Sequence, residues 1–209
     1  KNPNAAWHAK LPVIVTHSHI KANVYQGRGD MDWEGATENA IRQMDEHGVQ
    51  ASIVMSPPNT RFDTSYFDDL VSVTKKYPNR FKVLGGGRSL NPMINSIGRD
   101  RVDEGDRAKF IARADELIAK GAIGFGETTA LHFSFFSGHP FENVQPDHPL
   151  YLLLADMAAK HDVPIDMHME AVPEKWAVSK RLQDKSPDNP AYVEENISAF
   201  ERLLRHNRK

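Results

Sequence analysis

Pro12-Val13-Ile14-Val15-Thr16-His17-Ser18-His19 reads as a buried strand that closes on two histidines. Its apolar run is short, β-branched and ended by polar residues, which is how a strand reads rather than a helix. Residues two apart on a strand project from one face, so both imidazoles can reach a single ion. Four more runs repeat the pattern downstream, at 51–55, 81–84, 122–125 and 163–167, each closed by Gly, Pro, Ser or His.

The stretches between these runs have helical spacing. Ala40, Ile41 and Met44 precede Gly48, which can supply a left-handed cap. Ser65 and Asp68 form a capping-box pattern ahead of Phe67, Leu70, Val71 and Thr74, and Pro78 ends that segment. Phe110, Ile111, Ala114, Leu117 and Ile118 make a third stripe, ended by Gly121. Pro149 suits a first helical position before Leu150, Leu153, Leu154 and Met157. Pro190 is expected to open the last helix in the same way, with Val193, Ile197, Phe200 and Leu204 on one face.

Strand and helix therefore alternate five times, which implies βαβ units around a parallel sheet within one domain, 1–209. A doubly wound sheet needs about this length, whereas an eight-stranded barrel typically takes ~250 residues. A barrel would call for roughly three further units beyond these five.

Composition narrows the chemistry. The 209 residues carry 26 Lys+Arg against 28 Asp+Glu, a net charge of -2, which offers no track for a nucleic acid backbone. No apolar stretch approaches the ~18–20 residues of a membrane-spanning helix. The start, Lys1-Asn2-Pro3-Asn4, does not read as a signal peptide, and a processed chain could also begin so, leaving cytoplasm and periplasm both open. With no cysteine, disulfides, zinc ribbons and thiol nucleophiles are excluded, and a transition metal must be held by His, Asp and Glu.

Parallel α/β folds collect functional groups at the C-terminal ends of their strands. His17 and His19 close the first strand, Glu127 the fourth and His168 the fifth, and together they form a plausible cation site. Asp166 shares the parity of His168 and could support a ligand from behind, or serve as a buried structural acid. Arg88, after Gly85-Gly86-Gly87, is placed to fork onto a substrate carboxylate or phosphate, with a surface turn as the alternative. The glycine triplet has no following Lys-Ser/Thr and is not a nucleotide-binding loop. From Thr128 to His148 the chain is rich in aromatics and carries His132 and His139, which suits a long loop forming a lid or substrate wall. His8, His47, His148, His161 and His206 read as structural or surface groups. Arg28-Gly29-Asp30 reads as a chance tripeptide, and Asn196-Ile197-Ser198 as a mid-helix coincidence.

In order along the chain, these motifs resemble the amidohydrolase-related metal-dependent hydrolases. The carriers are Thr16-His17-Ser18-His19, then Met44-Asp45-Glu46-His47-Gly48-Val49 running into Ser52-Ile53-Val54-Met55-Ser56-Pro57. Tyr77-Pro78-Asn79-Arg80-Phe81, Gly121-Ala122-Ile123-Gly124-Phe125-Gly126-Glu127 and Pro164-Ile165-Asp166-Met167-His168 follow. The resemblance implies a (β/α)8 TIM barrel of which about five β/α units are present. It further implies one or two divalent ions, zinc first and manganese second, on His17, His19, Glu127 and His168. Glu127 and His168 would then be catalytic, and Arg88, His132 and His139 would meet substrate. The family adds a His after its sixth strand and an Asp base after its eighth, and this sequence holds neither.

The activity so implied is hydrolysis of an amide, ester or lactone carbon in a small molecule by metal-activated water. Decarboxylases and hydratases of the same superfamily are the nearest alternative. A TatD-like metal-dependent nuclease shares the same starting motif, and a non-catalytic incomplete barrel acting as a binding domain is a reading from another class. The expected partner is a small-molecule substrate, with no nucleic acid and no membrane. A homodimer is consistent with the habits of the family.

Overall fold

The computed structural model describes residues 11–21, 31–136 and 139–207; His8 and the Arg28-Gly29-Asp30 tripeptide lie outside them. The chain opens with β1 (Val13–Ser18), α1 (Trp33–His47), β2 (Val49–Met55), α2 (Ser65–Thr74) and β3 (Phe81–Gly86). It continues through α3 (Leu90–Ser96), a 3-10 turn at Arg99–Arg101, α4 (Glu104–Ala119), β4 (Phe125–His132) and β5 (Glu142–Asn143). The remainder is α5 (Pro149–His161), β6 (Ile165–Met169), β7 (Trp176–Ala177), α6 (Lys180–Gln183), β8 (Tyr192–Val193) and α7 (Ile197–His206). No helix among the described residues is long and apolar enough to cross a membrane.

The principal sheet runs β1-β2-β3-β4-β6, every neighbouring pair parallel, and β5 adds antiparallel to the far end of β4. Each strand thus lies beside the one that precedes it by a single β/α unit, the order expected when helices carry the chain back along one side of a parallel sheet. Helices and sheet close over a common core in which Leu70, Phe110, Leu117, Leu150, Tyr151 and Leu154 are fully buried. A second, smaller cluster of Leu131, Phe133, Val172, Val178 and Val193 lies under the segment that follows β6.

Local punctuation behaves as its chemistry requires at Gly48, which caps α1 at φ 70° and donates to Asp45 and Met44 carbonyls. Pro149 occupies the first turn of α5, where no amide donor is needed. Three expectations fail. The Ser65/Asp68 capping box does not form: Thr64 caps α2 without a side-chain bond, and Ser65 bonds to Asp63 instead. A capping box forms instead at α4, where the Asp103 and Asp106 carboxylates each accept from the other residue's backbone amide. The last helix begins at Ile197, after Asn196, because Tyr192–Val193 pairs with Trp176–Ala177 as a two-residue antiparallel ladder. Asn196 accordingly precedes a helix and is not inside one; its side chain bonds to Val172 N and Glu170 O.

The fourth strand is also displaced. It was expected at 122–125, yet β4 starts at Phe125 and runs to His132, through the buried Thr128, Thr129, Ala130 and Leu131. Those residues pair with β6 along most of its length, so what the sequence suggests as the start of a loop is the interior of the sheet. The aromatics of that stretch divide: Phe133 is buried in the second cluster with Phe141 against it, while Phe135 and Phe136 are exposed.

Candidate metal centre

Side chains from the ends of β1 and β6 converge on Glu127, which stands third in β4 and not at its close as expected, because β4 runs on to His132. His19 Nε2 lies 3.2 Å from Glu127 Oε2 and His17 Nε2 lies 3.8 Å from the same oxygen. His168 Nδ1 is 3.1 Å from the other oxygen, Oε1. The two β1 histidines are locked from behind. His19 Nδ1 donates to the Met55 carbonyl at 2.9 Å, and His17 Nδ1 donates to Asp166 Oδ2 at 3.0 Å. A proton held at Nδ1 leaves Nε2 as the lone-pair donor, the usual arrangement of an imidazole that binds metal.

These contacts settle the shape of the sheet. β1 and β6 stand at opposite ends of the strand order, and in a flat sheet four spacings of ~4.8 Å would hold them about 19 Å apart. His17 of β1 nevertheless touches Asp166 of β6. The sheet is curled into half a (β/α)8 barrel. Side chains from both ends of this half-barrel meet over its C-terminal mouth, where barrel enzymes keep their sites.

The mouth is a cleft of ≈ 660 Å³, lined among others by His17, His19, Glu127, His132, His139 and His168. Lys21, Phe136 and the buried Glu142 complete its walls, Glu142 accepting from Asn91 Nδ2 at 2.6 Å. Arg88 stands outside it. Its guanidinium lies over the Tyr66 ring, 4.4 Å from the centroid, and pairs with Asp63 Oδ2 at 3.2 Å. The glycine triplet before Arg88 works through its backbone instead: a Cβ on Gly87 would lie 2.8 Å from the Glu127 carbonyl and 2.7 Å from that of Ser56.

The charge state follows from the contacts. Burial would raise the Glu127 carboxyl, but hydrogen bonds from His168 and His19 outweigh it and hold the group at about 2. Bonds to Glu127 and Glu170 push the His168 ring up to about 10. His19 is raised too, chiefly by Glu127, whereas burial, with His132 beside it, lowers His139.

The four expected ligands do not form one set. His17, His19 and Glu127 present donor atoms within 4.8 Å of one another; a second set of the same closeness is His132, His168 and Glu170. His168 belongs to the second by its Nε2 and faces Glu127 only through Nδ1. Glu170 is the residue that sequence reasoning missed, although it follows Asp166 and His168 at the same two-residue spacing. Of the other histidines, His148 caps α5 and bonds to Ile97 O, while His161 and His206 pair with Asp115 and Asp156.

Neither a family model nor a curated protein matches this chain. Among solved structures, it is similar to a candidate amidohydrolase from Staphylococcus aureus, at 17% identity and TM-score 0.47, over 93% of this chain and 56% of that one. It is likewise similar to 2,6-dihydroxybenzoate decarboxylase from Rhizobium, at 18% identity and TM-score 0.49, over 93% of this chain and 61% of that one. A dihydroxybenzoic acid decarboxylase from Polaromonas, solved with manganese and the inhibitor 2-nitroresorcinol, is similar over 77% of this chain and 50% of its own length, at 17% identity and TM-score 0.43. The chain thus spans between half and three-fifths of these structures.

Proposed function

We propose that this half-barrel carries the ion-binding half of a metal-dependent enzyme that hydrolyses an amide, ester or lactone bond in a small molecule. The observation that carries the reading is the pair of β1 imidazoles, each held by its Nδ1 so that Nε2 faces the ionised Glu127. Two nitrogens and one carboxylate oxygen suit zinc, with manganese as the alternative. Bound there, a divalent ion would polarise a substrate oxygen and make a neighbouring water more acidic.

The side chains of the cleft have separable parts. Asp166 and the Met55 carbonyl orient His17 and His19, which reduces the reorganisation needed to receive the ion. Glu127 stays ionised across the working pH range, so His17 and His19 always face a negative charge. His139 stays neutral at pH 7, because its pKa is lowered, and its Nδ1 accepts from Phe135 N at 3.4 Å. That bond leaves Nε2–H as the ring's free donor, suited to a substrate carbonyl or carboxylate oxygen.

Decarboxylation of a small carboxylic acid is the second reading. Lys21 and His139 line the same cleft as the ion ligands, and a cationic and hydrogen-bonding rim favours a carboxylate. One experiment separates the readings. The chain is assayed with lactones, amides and aromatic carboxylates before and after chelation. Hydrolysis restored by zinc or manganese supports the first; carbon dioxide release supports the second. Elemental analysis accompanies it: His17→Ala/His19→Ala should lose an equivalent of metal while keeping its far-ultraviolet circular dichroism. Full metal retention in that variant would remove the β1 histidines from the site.

A further inference from the structure

We propose a second divalent-cation site, built from His132, His168 and Glu170, on the far side of Glu127 from the β1 histidines. His132 Nδ1 and His168 Nε2 are 2.9 Å apart, and each is 3.3 Å from Glu170 Oε1. Ligand atoms bound ~2.0–2.1 Å from a tetrahedral ion sit about 3.3 Å from one another, so this triangle matches one face of such a coordination shell.

The fold delivers the three atoms with little freedom. His168 and Glu170 are two apart at the end of β6 and project to one side. The Glu170 amide donates to Leu131 O at 3.3 Å, and the Asn196 side chain donates to Glu170 O at 2.8 Å. That bond to β4 brings Glu170 alongside His132, the last residue of β4. On the other side of the imidazole, His168 Nδ1 is held by Glu127 Oε1 at 3.1 Å, so a carboxylate orients this ligand from behind.

A separate observation concerns the other oxygen of Glu170. Glu170 Oε2 is buried and has no hydrogen-bond partner among the described residues. The two imidazoles reach only Oε1, and a buried carboxylate oxygen left without a donor is costly. The cleft gives access, since His132 and His168 both line it. Two imidazoles and one carboxylate make a borderline donor set, and zinc is the ion it suits first.

The inference does not rest on the activity proposed above. The full chain is stripped with chelator, dialysed against zinc alone, and its metal counted by elemental analysis. The wild type should bind two equivalents, and Glu170→Gln and His132→Ala one each. His17→Ala/His19→Ala should also retain one, which disappears when Glu170→Gln is added. Cobalt(II) in place of zinc gives a visible spectrum for each site, so a folded variant with one site is recognised by its bands. If Glu170→Gln and His132→Ala both keep the wild-type stoichiometry, or the double β1 variant holds no zinc, the second site does not exist. Should Glu170→Gln fail to fold, His132→Ala decides by the same count.

Discussion

Gly87 shows how little room the centre has. A methyl group there would press on two backbone carbonyls, of Ser56 and Glu127, and neither can rotate away as a side chain would. Gly87→Ala should cost about 1–3 kcal/mol in urea unfolding and displace the first residues of β4, which carry Glu127. The carboxylate itself makes a sharper prediction. Glu127 is the first cause of the raised His168 pKa, so in Glu127→Gln that ring should titrate well below about 10, which proton chemical shifts against pH would read. An unchanged titration would mean that Glu170 alone sets it. At this scale the sequence was partly readable. The two-residue period exposed His17, His19, Asp166 and His168, and the same period extended one step would have reached Glu170. His132 could be placed only as a loop residue, because its role depends on β4 continuing through Thr128–Leu131, and that continuation is set by pairing with β6.

Among the elements, the contact between the 3-10 turn, α5 and α7 is fastened by one acid. Asp147 is buried and receives hydrogen bonds from Arg99 of the turn and Arg202 of α7. Burial would raise its pKa, but the two guanidinium groups hold it below the model-compound value of 3.8. A depressed carboxylate contributes stability that is fully present above the unfolded pKa and is lost as pH falls through the folded one. Asp147→Asn should therefore lower stability by about 1–3 kcal/mol at neutral pH, and the gap from wild type should close below pH 3.8 in thermal unfolding. A gap that persists in acid would assign the loss to packing. Element boundaries divided by the range of their causes. Gly48 and Pro149 act within one turn of themselves and were readable. Pro190 was misread because Tyr192 and Val193 take their conformation from Trp176 and Ala177, which no local pattern reveals.

For the molecule as a whole, the alternation of five strands and helices is what the sequence states most clearly, since each unit repeats the same burial pattern. Curl was not readable, for it appears only when His17 and Asp166 meet across the strand order. β3 has a parallel neighbour on both sides, whereas β1 pairs with β2 alone among the described residues, and Ile14 on it is 58% exposed. Hydrogen exchange should record this: alternate amides of β1 should exchange several-fold faster than those of β3. Equal protection in both strands would mean that the β1 edge is covered in solution.

The strand order has a further consequence, in time rather than in space. Every parallel pairing joins a strand to its immediate predecessor unit, so no pairing waits for a distant part of the polypeptide. Parallel pairing is slow beside helix formation, yet each of these closures involves only neighbouring units and none reaches across the whole chain. On a ribosome, each newly emerged strand would find its template already laid down, and the half-barrel could assemble at the pace of synthesis, one unit after another.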